Sequence, residues 1–532
     1  MNNKKIETSV LSLLIIYSIY CSLIIGKSWD EGYHYYQGKA IFQYLLSFGK
    51  IRKEFFYEEY YSPSYWFFQF FFSQLFPVKY KVETSHLFNL LISLSTIFGF
   101  SKLISELFNK YLGKISFITL FFYPIFFGHM GFNPKDTVVA GCHIWIFYLV
   151  IRYLKNQSNI AKSNKYIYFA SVLLAVGTGT QLLFLGTLIP VLLFLFFEIF
   201  FYKKIVKKNF SYKLLLFNFL KFFLIFYFFL IFFWPATHSN IFFLPFEIFI
   251  KSLSLVRGYE FNMVNGEILL SKNVSIFYFY INFFFKSPEF ILFTYIMFLF
   301  LISNFYDFFN KEFSNFLYKF LFLSLFLLMP ILIVKFTSFG LYDGIRLFLW
   351  CIPYFLIIPS LTIYFLIKNF KKSVFKLFFY INVSLFIIYF LIFIAITPYH
   401  YTYLNIFSNF GLNSPEKFEG DYWNVSIKEL VKKIDFSKDQ KFDLATCGIH
   451  RDNLKEYLNI YQKQNIQKIN FVDSKDAKYI LMTNRVVNDV GNNNKSLKID
   501  TCYKKYIGST FVSVSRFGRE ISVIRILESS IK

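Results

Sequence analysis

The chain has 532 residues, of which 56% are hydrophobic and 24% aromatic, with a mean hydropathy of +0.46. The apolar residues come in blocks of about 20, the length that crosses about 30 Å of hydrocarbon, which excludes an ordinary soluble protein. The net charge of +24 does not mark a nucleic-acid partner. Most Lys and Arg fall in short loops between apolar blocks, where they report membrane topology.

Eleven apolar runs read as spans: about 8–26, 84–105, 115–128, 136–153, 166–181, 183–201, 214–235, 289–306, 320–335, 348–367 and 377–397. Residues 8–26 resemble a signal-peptide core, but no small-residue cleavage site follows, so they read as an uncleaved first span. The run 166–201 is too long for one ordinary span. It holds Gly177-Thr178-Gly179-Thr180-Gln181 near its middle and is therefore divided into a hairpin. With Lys4 and Lys5 in the cytoplasm, every inner loop is basic, as the positive-inside rule asks. These loops carry Lys110 and Lys114, then Arg152, Lys155, Lys162 and Lys165. Lys203, Lys204, Lys207 and Lys208 follow, then Lys311 and Lys319, and last Lys368, Lys371, Lys372 and Lys376. An undivided 166–201 would put one of two strongly basic loops outside.

The outer side collects the loops 27–83, 127–136, 236–288 and 338–346, and everything after Thr397. Three apolar stretches there, 62–77, 241–249 and 275–285, read as helices lying at the interface; ordinary packing against the bundle is equally compatible. From about residue 399 charge returns and the apolar residues become periodic. Strands are predicted over 441–448, 469–473, 477–484 and 510–527, and helices over 424–434 and 451–464. The expected organisation is a membrane domain, 1–398, and a small α/β domain outside the membrane, 399–532. Cys21, Cys142 and Cys351 lie in or near spans and read as small core residues. Cys447 and Cys502 share the tail; they could pair if it faces an oxidising compartment, and the sequence leaves open whether they do.

The chemistry-bearing residues concentrate on the outer side. Asp30 and Glu31 are adjacent carboxylates just beyond the first apolar run, amid Trp29, Tyr33, His34 and Tyr35. A solvated acidic turn is the plain reading. Against it, desolvation at a bilayer edge raises the cost of carboxylates, and the aromatic residues can order a polar substrate. A carboxylate in that position suits a general base towards a hydroxyl, a role that contributes about 100- to 10,000-fold in rate. Lys135 and His129 are candidate phosphate partners, with Asn133-Pro134 opening the next span so that its amides face the same phosphate. The alternative is a snorkelling Lys135 and a capping Asp136. Asp343 and Arg346 start a later span, and Arg suits bidentate recognition of phosphate; an Asp343–Arg346 ion pair that only fixes the loop is the rival reading. Asn405 and Asp421 sit among aromatics after the last span, placed either to bind sugar or to build a structural junction. No nucleotide-type glycine loop, HExxH motif or cysteine cluster appears, so no resident cofactor is expected. If a divalent metal is used, Glu31 helps to bind it.

In order and in sidedness these motifs resemble the multi-span glycosyltransferases of the GT-C fold. They are most similar to the family 39 group, the protein O-mannosyltransferases and bacterial relatives that include the lipid A aminoarabinose transferases. WDEGYHYYQGKAI (29–41) resembles the acidic loop after span one, and YYSPSYW (60–66) the short motif ahead of an interfacial helix. GHMGFNPKDTVVA (128–140) is similar to the segment that opens a later span. GTGTQLLFL (177–185) is similar to the GTR hairpin, with Gln181 where Arg is common.

The resemblance implies an all-α polytopic GT-C membrane domain with a small C-terminal α/β domain, in a bacterial inner membrane. It implies a polyprenyl-phosphate sugar donor, an extracytoplasmic acceptor hydroxyl on protein, lipid or glycan, and Asp30 as the catalytic base. On this reading Glu31 orients the acceptor, Lys135, Arg346 and His129 hold the phosphate, and Tyr33, His34, Asp343 and Asp421 contact substrate. A transporter or flippase of lipid-linked saccharides is the alternative. Scarce ionisable residues within the spans and the lack of an inverted repeat speak against it.

Overall fold

The computed structural model describes residues 3–51, 60–206, 210–254, 260–337, 340–409, 417–436, 441–487 and 499–527. Lys207 and Lys208 of the expected inner loops lie outside these residues. Each of the eleven apolar runs contains helix. Among the described residues, six helices are long and apolar enough to cross a membrane: Lys4–Ile24, Val78–Leu107, Asp136–Asn156, Tyr212–Phe232, Phe316–Phe336 and Ser373–Ala395. A seventh arises if Tyr278–Lys286 and Glu289–Asn304, bent by 117°, act as one span. By length and composition the expected count of eleven is not confirmed; several of the runs form shorter helices. Pro124, Pro190 and Pro353 each sit in the first turn of a short helix, where a missing N–H costs least and the preceding helix must stop.

The Asp136–Asn156 helix is the most buried of the six and forms the centre of the bundle. Peripheral helices keep apolar side chains outward, such as Leu216, Phe219 and Phe228 on Tyr212–Phe232, as an integral membrane protein requires. The run 166–201 breaks at Gln181. Gly177 is needed there: a Cβ would meet the Phe184 ring at 2.5 Å. The stretch 62–77 folds as the helix Ser64–Ser73, which buries Tyr65 and Trp66 against the bundle and leaves Phe68 and Phe71 exposed. Trp66 Nε1 donates to the Pro134 carbonyl at 3.1 Å and ties this helix to the start of the central one.

The tail contains a five-stranded sheet in the order Ile469–Phe471, Phe442–Cys447, Tyr479–Thr483, Arg519–Leu527, Gly508–Arg516. The first three strands are parallel and the last two complete the sheet antiparallel. The final hairpin turns through Phe517 and Gly518, both at positive φ, a two-residue turn that matches the twist of its strands. Cys447 and Cys502 form a disulfide across 55 residues of chain. A second hairpin, Phe261–Val264 with Glu267–Leu270, turns at Asn265-Gly266 inside a loop where no strand was expected.

The tail does not hang free. Its apolar core takes in Ile25 and Phe132 from the bundle side. The segment before Asp30 runs beside the tail: Gly26 N donates to Val425 O (3.1 Å) and Trp29 N to Trp423 O (3.0 Å). Asn453 Nδ2 donates to Ser28 O (3.0 Å), and Lys428 Nζ to Leu23 O (3.1 Å). Only glycine fits at 26, because a Cβ there would lie 2.2 Å from the Val425 carbonyl oxygen.

Candidate active site

A cavity of about 330 Å³ opens between Asp30, Tyr342, Asp343, Arg346, Trp423 and Arg485. It joins four parts of the chain: the loop after the first span, the 236–288 loop through Glu260, the 341–346 loop and the tail. Asp30 holds the N-cap position of the helix Glu31–Leu46, yet its side chain makes no capping bond and no other hydrogen bond to the described residues. Its carboxylate therefore keeps its acceptor capacity for a ligand in the cavity.

Glu31 is placed differently. One carboxylate oxygen accepts from Ser28 N at 2.5 Å, and the other lies 2.7 Å from His86 Nε2. Both side chains are buried. The Glu31 side belongs to a separate pocket of about 200 Å³ with Lys39 and Gln69. The expectation that Glu31 orients an acceptor or helps to hold a metal is corrected: its oxygens are taken by a structural pair. Among the described residues no group of three or more His, Cys, Asp and Glu side chains is arranged to hold a metal ion.

Arg346 is held from two sides. Its Nε donates to Asp343 Oδ2 and its Nη1 to Asp136 Oδ2, both at 3.0 Å. The guanidinium lies between the rings of Tyr342 (4.8 Å) and Trp423 (4.7 Å). Asp343 Oδ1 accepts from Arg485 Nη2 at 3.0 Å, so a buried chain runs Asp136–Arg346–Asp343–Arg485. Asp343 and Gly344 are both at positive φ, a turn that aims the Asp343 carboxylate between the two arginines. Each Asp343 oxygen thus accepts one arginine N–H, as the ion-pair reading expects, and the residue also lines the cavity.

Lys135 Nζ donates to Tyr61 Oη at 2.8 Å and does not line the cavity wall. It stays close enough for its charge to act on Tyr342 and His34. The amides expected to face a phosphate are satisfied internally: Asn133 Oδ1 accepts from Asp136 N (3.0 Å) and Lys135 N (3.3 Å). His129 is also corrected. It is fully buried, with Nε2 3.1 Å from Tyr422 Oη and Nδ1 3.3 Å from Asn133 Nδ2, behind the cavity wall rather than in it.

His34 stacks on Trp66 at 4.4 Å and is buried; burial first, and the Lys135 charge next, push its pKa down to about 3. Tyr33 packs edge-on against His34 and Trp66. Neither lines the cavity, so they shape the wall behind Asp30 and do not touch a ligand there. Asp421 is enclosed: it accepts from Val425 N (3.1 Å), Ser426 N (2.8 Å), Ser426 Oγ (2.6 Å) and the Tyr401 hydroxyl. Burial pushes its carboxyl above its ordinary value despite those donors. It builds the junction and is not available to sugar in the cavity.

Sequence reasoning missed Arg485, Tyr342 and Trp423, all on the cavity wall. Tyr342 and Trp423 lie in segments already singled out. Arg485 follows a predicted strand, and nothing local to it points to a site 142 residues away in the chain.

No protein-family model matches the sequence, and no curated protein matches it. Solved structures do match in fold. Over 99% of its length the chain superposes on 99% of ArnT from Cupriavidus metallidurans bound to undecaprenyl phosphate, with a TM-score of 0.51 at 10% identity. The apo state of that protein gives a TM-score of 0.49 at 11% identity, covering 97% of this chain and 98% of that one. The oligosaccharyltransferase AglB from Archaeoglobus fulgidus, in complex with an inhibitory peptide and a dolichol-phosphate, gives 0.44 at 11% identity, covering 90% of this chain and 69% of that one. The chain has the GT-C fold, the fold of membrane glycosyltransferases.

Proposed function

We propose that the protein is a membrane glycosyltransferase that moves a sugar from a polyprenyl-phosphate donor to an acceptor hydroxyl at the extracytoplasmic face. The observation that carries this reading is Asp30: a carboxylate with no hydrogen bond to the described residues, lining a cavity that Arg346 lines as well. Both carboxylates beside Arg346 are committed to holding it. The fold adds support, since the ArnT structure compared above binds undecaprenyl phosphate.

In the proposed step Asp30 takes the proton of the acceptor hydroxyl. The acceptor oxygen attacks the anomeric carbon, and the bond from that carbon to the phosphate oxygen breaks. The electron pair stays on the phosphate, which leaves as polyprenyl phosphate, and the configuration inverts. With Nε and Nη1 held by Asp343 and Asp136, Arg346 offers its Nη2 N–H groups to the growing phosphate charge, a preorganised donor in a partly water-excluded site. Lys135, beside Tyr342, supplies a second cation near the same wall. The charge asymmetry of the loops supports placing this end outside the cytoplasm.

Purified protein given polyprenyl-phosphate sugars, with glycolipids and glycoproteins read by mass spectrometry in cells carrying the intact or the Asp30→Asn protein, tests the reading. Loss of one glycosylated product in the variant supports it. Full transfer by the variant overturns Asp30 as base.

A further inference from the structure

We propose that Arg485, a residue of the tail, is a second anion-binding guanidinium of the cavity, paired with Arg346 around Asp343, and that the Cys447–Cys502 disulfide keeps it in place. This inference rests on the polyprenyl-phosphate reading and deepens it by assigning the phosphate a ligand outside the membrane bundle.

The pairing is visible in the bonds. Asp343 accepts from Arg346 through one oxygen and from Arg485 through the other, each at 3.0 Å. Two planar forks are thereby fixed on either side of one carboxylate, and both line the cavity with Asp30. Arg485 also donates to the Tyr422 carbonyl, and its guanidinium lies 5.5 Å from the Trp29 ring centroid. Two oriented guanidiniums suit a phosphate, which offers several acceptor oxygens and a charge of one or two.

The backbone of Arg485 is clamped by the disulfide and its surroundings. Cys502 N donates to the Arg485 carbonyl at 2.9 Å, and Cys502 is bonded to Cys447 at the end of the neighbouring strand. Gly448 follows Cys447 at φ +64; a Cβ there would lie 2.9 Å from Arg485 Cβ and 3.2 Å from Cys502 Sγ. Only glycine lets the three segments meet. Val486 N donates to Glu419 Oε1 at 2.9 Å, and Gly420 N to Asn484 O at 3.1 Å, so both flanks of Arg485 are tied to the junction. Without the Cys447–Cys502 bond, the strand end and the segment that caps Arg485 lose their covalent tie.

The test uses full-length protein in lipid nanodiscs with undecaprenyl phosphate as probe. Arg485→Ala is expected to weaken its binding about tenfold or more, the effect of losing a hydrogen bond to a charged group, with Arg485→Lys recovering part. The double variant Cys447→Ser with Cys502→Ser is expected to weaken binding in the same direction. In the unmodified protein, bound undecaprenyl phosphate is expected to slow amide exchange over both 343–348 and 484–487. Unchanged affinity in a folded Arg485→Ala protein overturns the proposal, as does protection of 343–348 without 484–487. The exchange measurement decides the matter if the variants do not fold. If the unmodified protein and Arg346→Ala alike fail to bind undecaprenyl phosphate, the polyprenyl-phosphate reading itself falls.

Discussion

Glu31 Oε1 lies 2.7 Å from His86 Nε2, and both side chains are almost sealed from solvent, while the carboxylate of Asp30, the residue before it, makes no hydrogen bond or ion pair to the described residues. Helix geometry separates the two acids. Glu31 begins the helix and points back into the bundle, whereas Asp30 at the N-cap points into the cavity. Two adjacent carboxylates thus receive different surroundings.

Asp30→Asn is expected to fold and insert normally and to lose about 100- to 10,000-fold in transfer rate, the usual contribution of a general base. The check is turnover of a polyprenyl-phosphate sugar by protein with an unaltered melting temperature.

Glu31→Gln is expected to act on stability. Removing one charge of a buried pair leaves its partner uncompensated and costs about 3 kcal/mol. Thermal unfolding measures this, and the specific activity of the folded fraction is expected to stay near that of the unmodified protein. A fall in turnover as large as that of Asp30→Asn would return Glu31 to the reacting centre.

Arg346→Lys keeps the charge but loses the fork that reaches Asp343 and Asp136 together. Donor KM is expected to rise about tenfold or more, with a smaller change in acceptor KM. Steady-state kinetics with each substrate varied separately gives the split. A change confined to acceptor KM would contradict the phosphate role.

His34 supplies a pH dependence. Its pKa falls from 6.5 to about 3 on folding, so between these values the unfolded chain binds more protons and stability rises with pH. The neutral ring's contribution is present above pH 6.5 and is lost as pH falls towards about 3. His34→Phe keeps the stack on Trp66 without the titration. The stability difference between the two proteins is expected to be constant above pH 6.5 and to move in favour of the variant below it, read from melting temperatures across pH.

Asp421→Ala removes the acceptor for two backbone amides and two hydroxyls at the junction. A loss of about 2–3 kcal/mol is expected, because buried donors go unsatisfied. Protease cleavage appearing first in the tail would register it; an intact tail with loss of sugar binding alone would restore a substrate role.

The fold type, the break at Gln181, the tail strands and the placing of Asp30 and Arg346, from separate loops, on one cavity drew on signals legible in the sequence. Apolar run length, loop charge and alternation carry those signals locally. The division of apolar runs into short helices was not, since Pro124, Pro190 and Pro353 sit in first turns without interrupting the hydropathy. The Asn265-Gly266 turn was a readable hairpin signal that its aromatic surroundings masked. The division of labour within Asp30-Glu31 was hidden, because it depends on His86 lying beneath one carboxylate and not the other. Arg485 was hidden for a similar reason: its partner Asp343 belongs to another part of the chain altogether.

The backbone that leads to Asp30 is bonded to residues made much later, such as Lys27 N to the Tyr457 hydroxyl across 430 positions. A ribosome-bound chain that has already threaded its membrane helices therefore lacks the far wall of its own cavity. Until the tail has folded, the cavity lacks Tyr422, Trp423 and Arg485. Truncation from the C-terminus, even by a stretch that contains no span, is then expected to open the cavity that the first loop lines.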